Sequence, residues 1–285
     1  MFKSIISNKE LNEILNDPKT VVIDCRFYLD NQEKGYLEYL DSHISNAYYA
    51  HLDDDLSGEI IPGQTGRHPF PDVKEFAKLC GKWGIDKEAQ VVVYDQGNGG
   101  IAARLWFLLK WLGHEAVAVL NGGWQLWQEQ QFPTSNEIPL PSQKIFYPKE
   151  NPTMIVTAET VREMINNKTY KLVDSRAAER YSGEVEPIDP VAGHIPSAIS
   201  APFAENLEAN GLFKSEKTLK DRFTNLLKGS PLQNTVFYCG SGVTACHNLL
   251  ALSYAGFEEA KLYAGSWSEW IADPNRPIET GPQEA

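Results

Sequence analysis

Residues 4–26, SIISNKELNEILNDPKTVVIDCR, return without a gap as residues 154–176, MIVTAETVREMINNKTYKLVDSR. Ser7 aligns with Thr157, Leu11 with Val161, Leu15 with Ile165, Asp24 with Asp174 and Arg26 with Arg176. Three shorter matches follow in the same order. SHISNA (42–47) pairs with GHIPSA (193–198), QVVVYDQGNGG (90–100) with NTVFYCGSGVT (234–244), and VLNGGWQLW (119–127) with LYAGSWSEW (262–270). A chain that contains itself twice must fold as two copies of one plan. Its 285 residues suffice for two domains of ordinary size. The halves are expected at 1–137 and 153–285. A linker is expected at 138–152, inside a stretch rich in proline and polar residues.

Each half carries the same predicted elements. A helix opens at a Ser or Thr cap, and Ser7 with Glu10 has capping-box spacing. Short apolar strands follow, TVVID or KLVD, then VVVY or TVFY, then AVAVL or AKLY. Between the last two lie a Gly loop and a helix, ARLWFLLKWLG or ACHNLLALSYAG, and the final strand ends in a predicted Gly-x-Trp turn. Strands alternating with helices predict an α/β fold, with a mostly parallel central sheet flanked by helices in each half. Chemistry in such sheets gathers at the C-terminal ends of the strands.

Cys239 falls at such an end. The loop CGSGVT then leads into a helix expected to start near Val243 or Thr244. A strand-to-helix turn of this kind can aim several N–H groups, and the positive end of the helix dipole, at one point. Gly240 and Gly242 permit the close approach that such a cradle needs. It would favour an ionised sulfur and could equally hold a persulfide. In the first half the aligned residue is Asp95, in a loop one residue longer. A carboxylate cannot carry sulfur, so only the second half is expected to be catalytic.

Net charge −12 argues against a nucleic-acid partner. Four cysteines, Cys25, Cys80, Cys239 and Cys246, form no CxxC pair, so neither structural zinc nor a disulfide framework is expected. No signal-peptide pattern and no run of 18 apolar residues is seen, so a cytoplasmic chain without a membrane partner is expected. No nucleotide-binding glycine motif or ligand cluster calls for a cofactor or metal. A Cys-dependent phosphatase would need Arg six positions after Cys239, where Ala245 stands.

CGSGVTA (239–245), VDSRAAERYSGEVEP (173–187), GHIPSA and GSW (265–267), beside an inactive first repeat, resemble the tandem-domain rhodanese family. These are the thiosulfate and 3-mercaptopyruvate sulfurtransferases. The resemblance implies two rhodanese-like domains and a Cys239 persulfide. Sulfur would pass from a small-molecule donor to cyanide, a thiol or a thioredoxin-like acceptor. It implies a substrate loop of Gly240, Gly242, Val243 and Thr244. The mercaptopyruvate type resembles CGSGVTA, whereas the thiosulfate type carries cations after the cysteine; thiosulfate remains the alternative donor. A non-catalytic binding module is the other class, disfavoured by Cys239. Two arginines hold the donor in the mercaptopyruvate enzymes. Arg180 matches the first; Ile188 stands where the second is expected. A Ser–His–Asp relay proposed for the family maps onto Ser241, His68 and Asp53. The latter two fall in the first half, which would place the site between the halves.

Overall fold

A computed structural model of the chain describes residues 1–257 and 260–282; the last three residues of the expected second domain lie outside them. Two compact units result. Each is built on a five-stranded, all-parallel sheet. In the first unit the strands run Ile5–Ile6, Val117–Leu120, Gln90–Tyr94, Thr20–Asp24 and Tyr48–Tyr49 across the sheet. In the second the order is Ile155–Val156, Lys261–Tyr263, Thr235–Tyr238, Lys171–Asp174 and Ile199–Ser200. The two sequences of strands correspond one to one.

The longer strands are those expected from the apolar runs. Gln90–Tyr94 and Thr235–Tyr238 are buried at every position, as the centre of a parallel sheet covered on both faces requires. The two-residue outer strands were not foreseen, because two residues carry no periodicity. Helices start where the caps predict: Ser7 and Glu10 form a complete capping box, and Thr157 accepts from the Thr160 N–H. The Gly-x-Trp segments are not turns that end the plan. They open short helices, Gly123–Glu129 and Ser266–Trp270, whose tryptophans fill the two cores. Helix Ala245–Tyr254 is buried on all sides through Leu252. No helix among the described residues is long and apolar enough to cross a membrane.

Repeated polar residues do repeated structural work. Arg26 grips Asp24 and Arg176 grips Asp174, each with its guanidinium over a tryptophan, Trp124 or Trp267. His43 and His194 each bond a backbone carbonyl and stack on a tyrosine, Tyr39 or Tyr181.

The units are not two unbroken lengths of chain. The first comprises Met1–Gly58, Phe70–Asn151 and Ala209–Phe213; the second comprises Glu59–Pro69, Pro152–Glu208 and Lys214–Ala285. Residues 59–69, expected in the first half, are therefore packed into the second. The Arg67 N–H donates to Ser268 Oγ. Gly66 lies so close to the chain that a Cβ there would sit 2.5 Å from the Gly265 carbonyl oxygen. In the segment just before it, Leu52 and Leu56 are buried and Asp55 accepts from the His51 N–H, while Asp54 is exposed.

Candidate active site

Strand Thr235–Tyr238 delivers Cys239 to its C-terminal end, where the residue is fully buried. Three bonds fix the start of the loop. The Cys239 N–H donates to Ser266 Oγ (3.1 Å), the Trp267 N–H to the Cys239 carbonyl (3.0 Å) and the Ser268 N–H to the Gly240 carbonyl (2.9 Å). Gly242 then turns left-handed, with φ +76°, and a Cβ there would lie 2.2 Å from the Ala264 carbonyl oxygen. Only glycine fits. Helix Ala245–Tyr254 starts after Thr244, which caps it without a side-chain bond. Val243 is buried and Thr244 half-buried. The N–H groups of Ser241, Val243, Thr244 and Ala245 donate to no protein acceptor among the described residues.

The first unit shows where such amides converge. Asp95 Oδ1 accepts from the N–H groups of Gly97 (3.0 Å) and Gly99 (3.0 Å), and Oδ2 from those of Ile101 (2.9 Å) and Ala102 (3.2 Å). The anchors are repeated as well. The Trp124 N–H donates to the Asp95 carbonyl and the Gln125 N–H to that of Gln96. Gly99 takes the same φ of +76° as Gly242. The turn is thus an anion cradle, filled in one unit by its own carboxylate and carrying a cysteine in the other.

Beside Cys239, Ser241 Oγ lies 2.7 Å from His68 Nδ1, and both residues are buried. Sequence position places this histidine in the first half; the packing of residues 59–69 puts it in the second unit with its serine. Asp53, the third expected member, belongs to the first unit, where its Oδ2 accepts from Gln32.

Arg180 is held by Glu186, with Nε bonded to both carboxylate oxygens and Nη2 to Oε1, and Nη2 also donates to Asp189 Oδ2. Burial works to raise the Glu186 carboxyl, yet the Arg180 bond and the N–H groups of Asp189 and Ile188 bring it below its ordinary value. At Asp189 burial wins and the carboxyl is pushed up, against the pull of Arg67 and Arg180. Arg67, which the sequence reading passed over, completes this cluster: its Nη1 donates to Asp189 Oδ1. Its Nη2 lies 2.9 Å from where a Gly240 Cβ would be, and both terminal nitrogens of Arg180 lie 3.6 Å from that point. The signal available in sequence was a lone cation beside His68 in GRHPF.

The other cysteines differ in kind. Burial pushes the Cys25 and Cys80 thiols far up, which keeps them neutral and inert. Cys246 donates its S–H to the Gly242 carbonyl from within the helix.

Chemically the second unit offers a sulfur at an anion-stabilising turn, a hydroxyl–imidazole pair and two guanidiniums. The Rhodanese-like domain model matches residues 7–130 and again 157–273. The chain belongs to the rhodanese-like domain family. A Pseudomonas aeruginosa protein named "Probable 3-mercaptopyruvate sulfurtransferase" is 45% identical over 278 residues, 97% of this chain and 98% of that one. A rat "Thiosulfate sulfurtransferase" is 31% identical over 292 residues, 99% of this chain and 97% of its own length. Among solved structures, the 3-mercaptopyruvate sulfurtransferase from Leishmania major matches with a TM-score of 0.83 at 29% identity, covering 96% of this chain and 75% of that one. Both units of this rhodanese-like chain match the family model, but only the second has the cysteine.

Proposed function

We propose that this rhodanese-like protein is a sulfurtransferase that takes sulfur from 3-mercaptopyruvate onto Cys239 and gives it to a thiol or cyanide. The observation that carries the reading is the pair of loops: equivalent anchors and an equivalent left-handed glycine, with Cys239 where the first unit seats an anion.

The Cys239 thiolate attacks the donor sulfur. An S–S bond forms, the donor's S–C bond breaks, and its electron pair leaves on carbon as the enolate of pyruvate. Ser241, bonded to His68, is placed to pass a proton toward that carbon, giving pyruvate. The persulfide then rests in the cradle, its charge met by the loop N–H groups. An acceptor thiolate attacks the outer sulfur; the new S–S bond forms as the old one breaks and Cys239 returns as thiolate. Arg180 holds the donor carboxylate through Nη1, which has no protein acceptor among the described residues. Asp53 is carried by the family resemblance alone, and no step is assigned to it. A small thiol or a thioredoxin-like protein suits the acceptor step, and a reducing, cytoplasmic setting suits a free nucleophilic cysteine.

Thiosulfate is the second reading, favoured by the rat relative's name. Incubation with 3-mercaptopyruvate, then intact mass spectrometry, tests both nucleophile and donor. A gain of one sulfur mass at Cys239, lost in Cys239→Ser, is expected, and turnover in that variant drops by about three orders of magnitude or more. Substantial turnover in Cys239→Ser removes the nucleophile.

A further inference from the structure

We propose that the first unit holds a site for a free α-amino acid: a cleft in which Arg26 Nη1 takes the ligand carboxylate, and Glu38 and Asp41 take its ammonium.

The two repeated arginines differ in one bond. Arg176 donates Nε and Nη2 to Asp174, Nη2 to the Gly193 carbonyl and Nη1 to Glu186 Oε2 at 3.2 Å. Arg26 repeats the first set, with Asp24 and with the carbonyl of Ser42, which aligns with Gly193. Its Nη1 donates to no acceptor among the described residues; Glu38 Oε2 stands 4.0 Å away, beyond a hydrogen bond. A guanidinium side chain only 1% exposed with a donor to spare suits a carboxylate placed where the second unit puts Glu186.

There is space for such a group. Arg26 lines a cleft of about 390 Å³ together with Glu38, Asp41, Gln96, Trp124 and Gln125. Small-molecule sites run from ~300 to ~1,000 Å³, so an amino acid and its side chain fit. The Arg26 guanidinium lies over the Trp124 ring, 4.5 Å from its centroid, which fixes the plane of the donor. Glu38 and Asp41, three residues apart on helix Lys34–Asp41, share one face.

The charges choose the ligand class. Asp24 already balances Arg26. Glu38 accepts from the Tyr28 hydroxyl and lies 3.8 Å from Lys34 Nζ, whereas Asp41 has no ion-pair or hydrogen-bond partner among the described residues. A simple anion would meet an unpaired carboxylate, and a simple cation would leave Arg26 Nη1 unanswered. A small molecule that carries both charges on one carbon skeleton answers each.

The test is a ligand-observed NMR titration of the whole chain with the common α-amino acids, one at a time. At least one binds with a millimolar Kd or tighter. Its methyl ester and its α-hydroxy acid counterpart each lack one charge and bind at least about tenfold more weakly. Glu38→Gln with Asp41→Asn weakens the amino acid by the same factor and spares the α-hydroxy acid. Asp41→Asn alone, which breaks no contact within the chain, serves if the double variant is unstable. Arg180→Ala, in the second unit, leaves the amino-acid affinity unchanged, which separates this cleft from the donor pocket. No binding up to about 10 mM, an ester or hydroxy acid that binds equally well, or loss in Arg180→Ala in place of the carboxylate variants would overturn the site.

Discussion

Asp95 and Cys239 occupy one position in two copies of one loop, and they differ in what answers the loop's amides. In the first unit four N–H groups close on a carboxylate that is part of the chain. In the second, the N–H groups of Ser241, Thr244 and Ala245 donate to no protein acceptor among the described residues. A strand end followed by a left-handed glycine and a helix start is therefore a neutral device. One side chain decides whether it stabilises the fold or serves a reaction.

That contrast can be broken most directly at Asp95. Asp95→Ala strands four amides in a largely buried loop, and urea unfolding should show the first unit weakened by about 4 kcal/mol. Persulfide formation per folded molecule should stay as in wild type. Equal stability would mean that the carboxylate does not hold the loop. Gly242→Ala tests the shared geometry from the other side. The Cβ would meet the Ala264 carbonyl oxygen and the backbone would be strained at φ +76°, so the loop must shift. Sulfur transfer should fall about a hundredfold, measured as single-turnover persulfidation. A variant as fast as wild type would show that the turn does not position the sulfur.

The smallest effect lies away from the loops. His114 follows the helix of the first unit where Phe257 follows that of the second; each donates its N–H back to the helix, to Leu109 and Leu252 respectively. Burial lowers the His114 pKa, and its Nε2 has no hydrogen-bond partner among the described residues. The folded state thus keeps the ring neutral while the unfolded chain protonates it near the ordinary value of about 6.5. Between those values the unfolded chain binds more protons, so stability is lost as pH falls below about 6.5. His114→Phe should flatten the stability change between about pH 7.5 and 5. An unchanged slope would place the titration elsewhere.

What the sequence revealed and what it hid follow from the range of the interactions involved. Apolar runs such as VVVY and TVFY announced the central strands because burial on both faces leaves a continuous signal. The loop at Cys239 was legible because a strand end, two glycines, a helix start and a lone sulfur lie within a few residues. Arg67 was not. Its partners lie 122 and 201 residues along the chain, at Asp189 and Ser268, and no local pattern encodes contacts at that distance. The same holds for His68: neighbours in sequence assigned it to the first half, while packing assigned it to the second.

That last assignment bears on how the two halves depend on each other. Residues 59–69 lie within the first repeat by descent yet are structural members of the second, and 209–213 show the reverse membership. Separating the halves at the apparent junction would give the sulfur-bearing fragment its cradle but leave its imidazole and one guanidinium on the other piece. The duplication has become an exchange of parts, and the silent copy is retained for what it lends.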